Sequence, residues 1–347
     1  MNAMQSPANS KFKLKQRHAL AFGAIICCSL PLATQSQAVA ADVRPDQVVS
    51  SLENTFGTHP GIRKNHAKGT CAVGQFIGTQ EAAKYSRSLL FFGKSIPVVA
   101  RFSLAGGNPN APDTARSARG MALEFQLPEG NRQHITMLNI PIFGAANPTT
   151  FNDMIIAAKP DPQTGKPNPE RLKTFLATHP DALALTNFLA DQNPPKNYFN
   201  TTFFGIHTFK LIDTKNVEHL VKWRFIPHDG DKSLSAAEMS TLPHDFLEQG
   251  LISRLTQGTV KWDMVVYLGQ AGDPETNPTL TWPETRTHFT AGTLTITQAS
   301  PQQGAACEKI NFDPLVMADG MAPTNDPILL FRSPAYAISF GKRLSGQ

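Results

Sequence analysis

Apolar and polar residues alternate along most of the chain beyond Phe76, and alternation of period two is the signature of strands with one face buried. In Ile96-Pro97-Val98-Val99-Ala100-Arg101-Phe102-Ser103 it sets Val98, Ala100 and Phe102 on one face and Val99, Arg101 and Ser103 on the other, so Arg101 and Ser103 point the same way. Residues 120–127 repeat the pattern with Met121, Leu123, Phe125 and Leu127, and 133–143 is a further strand-like run containing Asn139. Residues 206–211 and 217–225 flank the polar Asp213–Asn216 as the arms of a hairpin, and 260–268 and 293–297 supply more strands. Helical spacing is found in fewer places. Asp42–Phe56 carries Val48, Leu52 and Val49 on one face and leads into a loop over 57–69. Leu172, Phe175 and Leu176 follow a start at Pro169, Leu185, Phe188 and Leu189 resume after Pro180, and Asp245–Leu255 is a short helix. Many strands without strict helix–strand alternation predict an α+β chain, its core an antiparallel β-barrel with surrounding helices.

Residues 1–40 stand outside this pattern. Lys11, Lys13, Lys15 and Arg17 precede an apolar run over 19–33 and a small-x-small site at Ala38-Val39-Ala40, the composition of a secretory signal peptide. Ile26 stands where a lipoprotein signal around Cys27 and Cys28 would want a small residue. The apolar run is shorter than the roughly 20 residues that span a bilayer, so no stable membrane insertion is expected. Residues 41–347 are then expected to be one domain, periplasmic or secreted, with no linker or repeat dividing it. Four of the 32 Lys and Arg belong to the leader; without them the balance against 27 Asp and Glu is near +1, and nucleic-acid binding loses its electrostatic support. Cys71 and Cys307 remain. An exported compartment permits them to pair, and two buried free thiols fit the sequence as well. No CxxC or CxxCH is present, so neither structural zinc nor covalently attached haem is expected.

Candidate chemistry gathers in three stretches. Arg63-Lys64-Asn65-His66-Ala67-Lys68-Gly69 places a histidine among basic residues ahead of glycine, Arg101-Phe102-Ser103 ends a strand, and Arg332-Ser333-Pro334-Ala335-Tyr336 lies near the C-terminus. A histidine, a serine able to orient it and a tyrosine beside an arginine suit a haem site with tyrosine as axial ligand. Taken singly, His66 reads more readily as a loop histidine, Ser103 has a second reading as an ordinary strand serine, and Phe151 reads equally well as core. Ser333-Pro334 reads as the start of a helix holding Tyr336 in its first turn.

These stretches, with Asp113-Thr114-Ala115-Arg116-x-x-Arg119-Gly120, Asn139-x-Pro141-Ile142-Phe143 and His207-Thr208-Phe209-Lys210-Leu211, stand in the order seen in haem catalases. The tail, Phe312-Asp313-Pro314-Leu315, Asp326-Pro327 and Arg332–Phe340, resembles the short branch, the catalase-related peroxidases. The resemblance covers nearly all of the chain after the leader and implies a barrel of catalase type with haem b inside its core. By the same resemblance His66 is the distal acid–base residue, Ser103 fixes its tautomer, and Tyr336 is the iron ligand, kept as phenolate by the iron and by Arg332. Arg63, Arg101 and Arg343 match propionate-binding positions, and Phe151 an aromatic against the haem plane.

The sequence also departs from true catalases. Leu138 occupies the position of the catalytic asparagine and Asn139 the next, Ser117-Ala118 replaces the Asp-Pro of the channel mouth, and Asn65 replaces an apolar neighbour of the distal histidine. The expected activity is therefore reduction of hydrogen peroxide or organic hydroperoxides with electrons from a small donor, Asn139 assisting if it turns inward. Rival expectations are a true catalase, a hydroperoxide isomerase or lyase, and a haem-free barrel binding an apolar ligand. Because the chain runs only a short way past Tyr336, the interlocked tetramer and NADPH site of full catalases are not expected; a monomer or small homo-oligomer is.

Overall fold

The computed structural model describes residues 42–347, so the signal-peptide reading of 1–40 lies outside the described residues. In chain order these residues form α1 (Pro45–Phe56), β1 (Gly69–Gly78), β2 (Ser95–Leu104), β3 (Arg119–Gln126), β4 (Arg132–Leu138), α2 (Pro148–Ala157), α3 (Pro169–Thr178), α4 (Leu183–Asp191), β5 (Phe203–Phe204), β6 (Phe209–Ile212), β7 (Glu218–Pro227), α5 (Ala236–Thr241), α6 (Phe246–Thr256), β8 (Val260–Leu268), β9 (His288–Pro301), β10 (Met321–Pro323) and α7 (Pro327–Leu344).

Every pairing is antiparallel. The order β7-β5-β4-β3-β2-β1-β9-β8 returns from β8 to β7, closing an eight-stranded barrel, and β6 and β10 extend it from β7. The inward set read from alternation is the set that fills it: Val98, Ala100, Phe102, Met121, Leu123 and Phe125 join Phe76, Phe203, Trp223 and Trp262 in one buried cluster. Each of the Val, Leu, Met and Phe side chains contributes roughly 1.5–3 kcal/mol by leaving water. An interior of eight strands is just wide enough for side chains of this size. The expectation of a cofactor inside the barrel is therefore corrected, because aromatic rings already occupy that space and the open volume lies against the outer wall.

Two rows of paired residues make that wall. Cys71, Arg101, Ala122 and Thr136 stand side by side across β1 to β4, and Gly69, Ser103, Gly120 and Leu138 form the next row. Over them pack α1, α2 and α7 through Val48, Leu52, Ile155, Phe151 and Phe331. Asp326 caps α7 by accepting the Ile328 and Leu329 N–H groups at 2.8 and 3.2 Å, with Pro327 at the first helical position. The helix therefore starts well before Pro334, which lies inside it, and Tyr336 sits beyond its first turn. The strand expected over 133–143 stops at Leu138, and Asn147-Pro148 opens α2, a start signal the hydrophobic pattern alone passes over. Cys71 and Cys307 form a disulfide, Cα–Cα 5.5 Å, that joins β1 to the short 3₁₀ turn Ala306–Lys309. Among the described residues no helix is long and apolar enough to cross a membrane.

Candidate active site

Between the outer wall and the three helices lies a cavity of about 1340 Å³ of atom-free space, part of it open to solvent. His66, Ser103, Phe151, Arg332, Tyr336, Arg63, Arg101 and Arg343 all line it, so eight residues from distant parts of the sequence reach one space. Phe143 lies beside Phe151 with ring centroids 5.3 Å apart, making one aromatic wall.

His66 enters from the loop before β1 with a positive φ of 52°, a conformation unusual for anything but glycine. Asn65 holds that loop: its Oδ1 accepts the N–H groups of His66 and Gly106, both at 2.9 Å. The Nδ1 of His66 meets Ser103 Oγ at 2.9 Å, and among the described residues nothing engages Nε2. Gly120 permits this approach, since a Cβ there would lie 2.7 Å from Ser103 Oγ and 3.1 Å from His66 Nδ1. Burial first, then the charges of Arg101, Arg332 and Arg63, push the His66 pKa down to about 3. The imidazole is neutral near pH 7 and able to take a proton.

From α7, Arg332 and Tyr336 stand one turn apart, and Arg332 Nη2 donates to the phenol oxygen at 2.7 Å. The same nitrogen donates to Thr136 Oγ1 at 2.8 Å, while Nη1 faces His207 Nε2 at 3.2 Å. His207 Nδ1 lies 2.7 Å from Asp326 Oδ2. Burial, chiefly, holds His207 below the ordinary imidazole range against the pull of Asp326. A neutral ring fits both contacts: Nδ1–H donates to Asp326 and Nε2 accepts from Arg332. The cap of α7 thus continues, through two side chains, to the phenol. Sequence reasoning gave Asp326 and His207 no role; their pairing spans 119 positions, which no local spacing reveals.

The third group is cationic. Arg63 donates to the carbonyls of Cys307 and Ile310 at 3.0 and 2.8 Å, and Arg343 to that of Glu308 at 2.6 Å. Arg101 donates to His66 O and to Gln302 Oε1, at 2.8 and 2.7 Å. None of the three forms an ion pair among the described residues, although Arg101 and Arg343 are buried. Burial and then the neighbouring Arg101 and Arg343 charges push the Arg63 pKa down to about 8, and burial takes Arg101 to about 10. Three desolvated guanidiniums that no carboxylate contacts, with only Glu308 acting on Arg63 and Arg343 from beyond ion-pair distance, suit a ligand that brings two carboxylates, as the propionates of haem do. With an apolar slot, a tyrosine oxygen and a free imidazole nitrogen on the same cavity, the residues fit a haem.

Asn139 does not join them. Its Oδ1 accepts the Arg119 backbone N–H at 2.6 Å, and Leu138, in register with Gly120, lines the cavity instead. The expectation that Asn139 assists catalysis is corrected accordingly: β4 ends here, and the amide closes the end of the ladder.

Residues 60–347 match the family model described as Catalase. The chain is 54% identical to a catalase-related peroxidase of Synechococcus elongatus over 93% of this chain and 95% of that one. It is 32% identical to a catalase-related peroxidase of Mycolicibacterium paratuberculosis over 87% and 95%. The solved catalase A of Saccharomyces cerevisiae superposes with a TM-score of 0.77 at 24% identity, covering 82% of this chain and 62% of that one. This likeness bears on the fold, and the chain spans under two thirds of that catalase's length.

Proposed function

This chain belongs to the catalase family, and we propose that within it the protein works as a haem-dependent peroxidase with weak catalase activity at most. It reduces hydrogen peroxide or an organic hydroperoxide, which takes two electrons from a small donor and two protons to give an alcohol or water and a second water. The convergence of His66, Tyr336 and the three arginines on one cavity carries this reading.

Tyr336 holds the iron and Arg63, Arg101 and Arg343 hold the two carboxylates, with Phe151 as an aromatic wall. When bound, haem supplies the ferric centre at which the peroxide O–O bond is broken and through which the donor's electrons arrive. Arg332, donating to Tyr336 at 2.7 Å, fixes the position of the phenol oxygen. Neutral His66 takes the proton from one peroxide oxygen and returns it to the departing one. Ser103, on Nδ1, keeps Nε2 as the nitrogen that does so. Dismutation requires a second peroxide to be steered, and Leu138 offers no donor where an amide would serve. Access for a donor makes no such demand.

The Cys71–Cys307 bond supports an exported location, and with it the assignment of 1–40 as a leader and 41–347 as the functional domain. Oxygen release and donor oxidation measured on one preparation test the reading. We expect donor oxidation to dominate and Leu138→Asn to gain some oxygen release; vigorous oxygen release from the unmodified protein would make it a true catalase.

A further inference from the structure

Arg63, Arg101 and Arg343 come from separate parts of the chain, yet the groups that hold them converge on one covalent bond. Cys71 lies directly opposite Arg101 in the β1–β2 pairing. Its disulfide partner Cys307 offers a carbonyl to Arg63 Nη2 at 3.0 Å, and the carbonyl of the next residue, Glu308, accepts from Arg343 Nη1 at 2.6 Å. Ile310 O accepts from both, at 2.8 and 3.4 Å, and Gln302 Oε1 accepts from Arg101. Residues 302–310 therefore serve all three guanidiniums. Yet β9 ends at Pro301, and the segment has only the 3₁₀ turn Ala306–Lys309 for regular structure. Its covalent tie to the wall is the disulfide, packed in a small cluster with Val99 and Phe312, beside the hydrogen bonds that Gln302 makes with Arg101 and the Ala67 carbonyl.

We propose that the Cys71–Cys307 disulfide is a positioning element for the carboxylate-binding end of the cavity. Intact, it holds 302–310 so that Arg63, Arg101 and Arg343 converge on the two carboxylates of a tetrapyrrole. Broken, it releases that end and leaves the tyrosine end unchanged. The bond is cleaved by a dithiol: the S–S bond breaks, each sulfur gains one electron and one proton, and the dithiol leaves as its own disulfide. This rests on the reading of the cavity as a haem site.

The test compares haem b with its dimethyl ester, which lacks the charges the arginines recognise. Each is loaded into the unmodified protein and into Cys71→Ala/Cys307→Ala, and its rate of transfer to excess apomyoglobin is followed by absorbance. The same rates are measured on unmodified protein loaded first and then reduced with dithiothreitol, with thiol alkylation to verify cleavage, so that poor folding of the variant does not decide the outcome. Loss of the disulfide should speed release of haem b about tenfold, the scale of one charge-assisted contact, and leave the ester's rate within about twofold. In the intact protein Arg63→Gln should show the same selectivity, and combining it with the cysteine substitutions should give less than the product of the two effects. Equal haem b rates with and without the disulfide would overturn the proposal. So would equal acceleration of haem b and ester, which would make the bond a general staple. Failure of the disulfide-intact protein to take up either ligand would overturn the haem reading itself.

Discussion

At Tyr336 the polar side chains pair in series inside the protein, from Asp326 through His207 and Arg332 to the phenol, whereas Arg63, Arg101 and Arg343 lean on neutral carbonyl and amide oxygens and touch no carboxylate, Glu308 acting only from a distance. Both regions are cationic and border the same cavity. One is complete without a ligand. The other holds desolvated charge that only an anion relieves, and a buried charge without a counterion costs stability. Such a cluster adds nothing to folding, so its presence beside the paired Arg332 and Tyr336 points to a ligand that is anionic at one end and bound through the phenol at the other.

His66 belongs to neither region, and replacing it sharpens the contrast most. In His66→Ala we expect haem content to remain near that of the unmodified protein, while reduction of peroxide in stopped-flow mixing slows by roughly 10² to 10⁴-fold, the range for a lost acid–base group. A near-normal rate would move that role elsewhere. The same substitution alters the response to acid. Because the folded pKa of His66 is lowered from 6.5 to about 3, the unfolded chain binds a proton that the folded one does not across that window, so stability falls as pH drops from 6.5 towards 3. His66→Ala should flatten that fall in melting temperature, and an unchanged slope would mean that His66 is not buried neutral.

The comparison itself breaks under a pair of substitutions. Arg332→Leu strands His207 Nε2 and should destabilise the ligand-free protein by about 1–3 kcal/mol. Arg63→Met removes an uncompensated charge and should raise the ligand-free melting temperature while weakening haem retention. Shifts of the same sign would show that the two regions do not differ as described. A smaller effect is expected at Asn139. Asn139→Ala leaves the Arg119 N–H without its acceptor and should cost about 1 kcal/mol in denaturant unfolding, with peroxide reduction almost unchanged.

The barrel was legible because alternation survives wherever a strand buries one face: Val98, Ala100 and Phe102 go inward and Arg101 and Ser103 outward together, as read. Alternation does not say which face of a closed sheet encloses the core, and the placement of haem inside the barrel rests on the resemblance alone. Alternation does not reveal β1, because Gly69, Gly74 and Gly78 blur its pattern. The sequence places the start of α7 ambiguously, because Ser333-Pro334 carries the same cap-and-proline chemistry as Asp326-Pro327, and only the continuity of the helix decides between them. The cysteine pair, the Asp326–His207 contact and the service of Gln302 to Arg101 depend on distances between remote segments, which no local spacing encodes.

The central claim is that the cavity takes haem with Tyr336 as the iron ligand. Its most direct test is the absorption and resonance Raman spectrum of the protein titrated with ferric haem b, compared with that of Tyr336→Phe. We expect saturable uptake with a Soret band and enhanced phenolate vibrations, and loss of those vibrations in Tyr336→Phe, whose fold survives because only a hydroxyl is removed. No uptake by the unmodified protein, or identical spectra for the two, would contradict it.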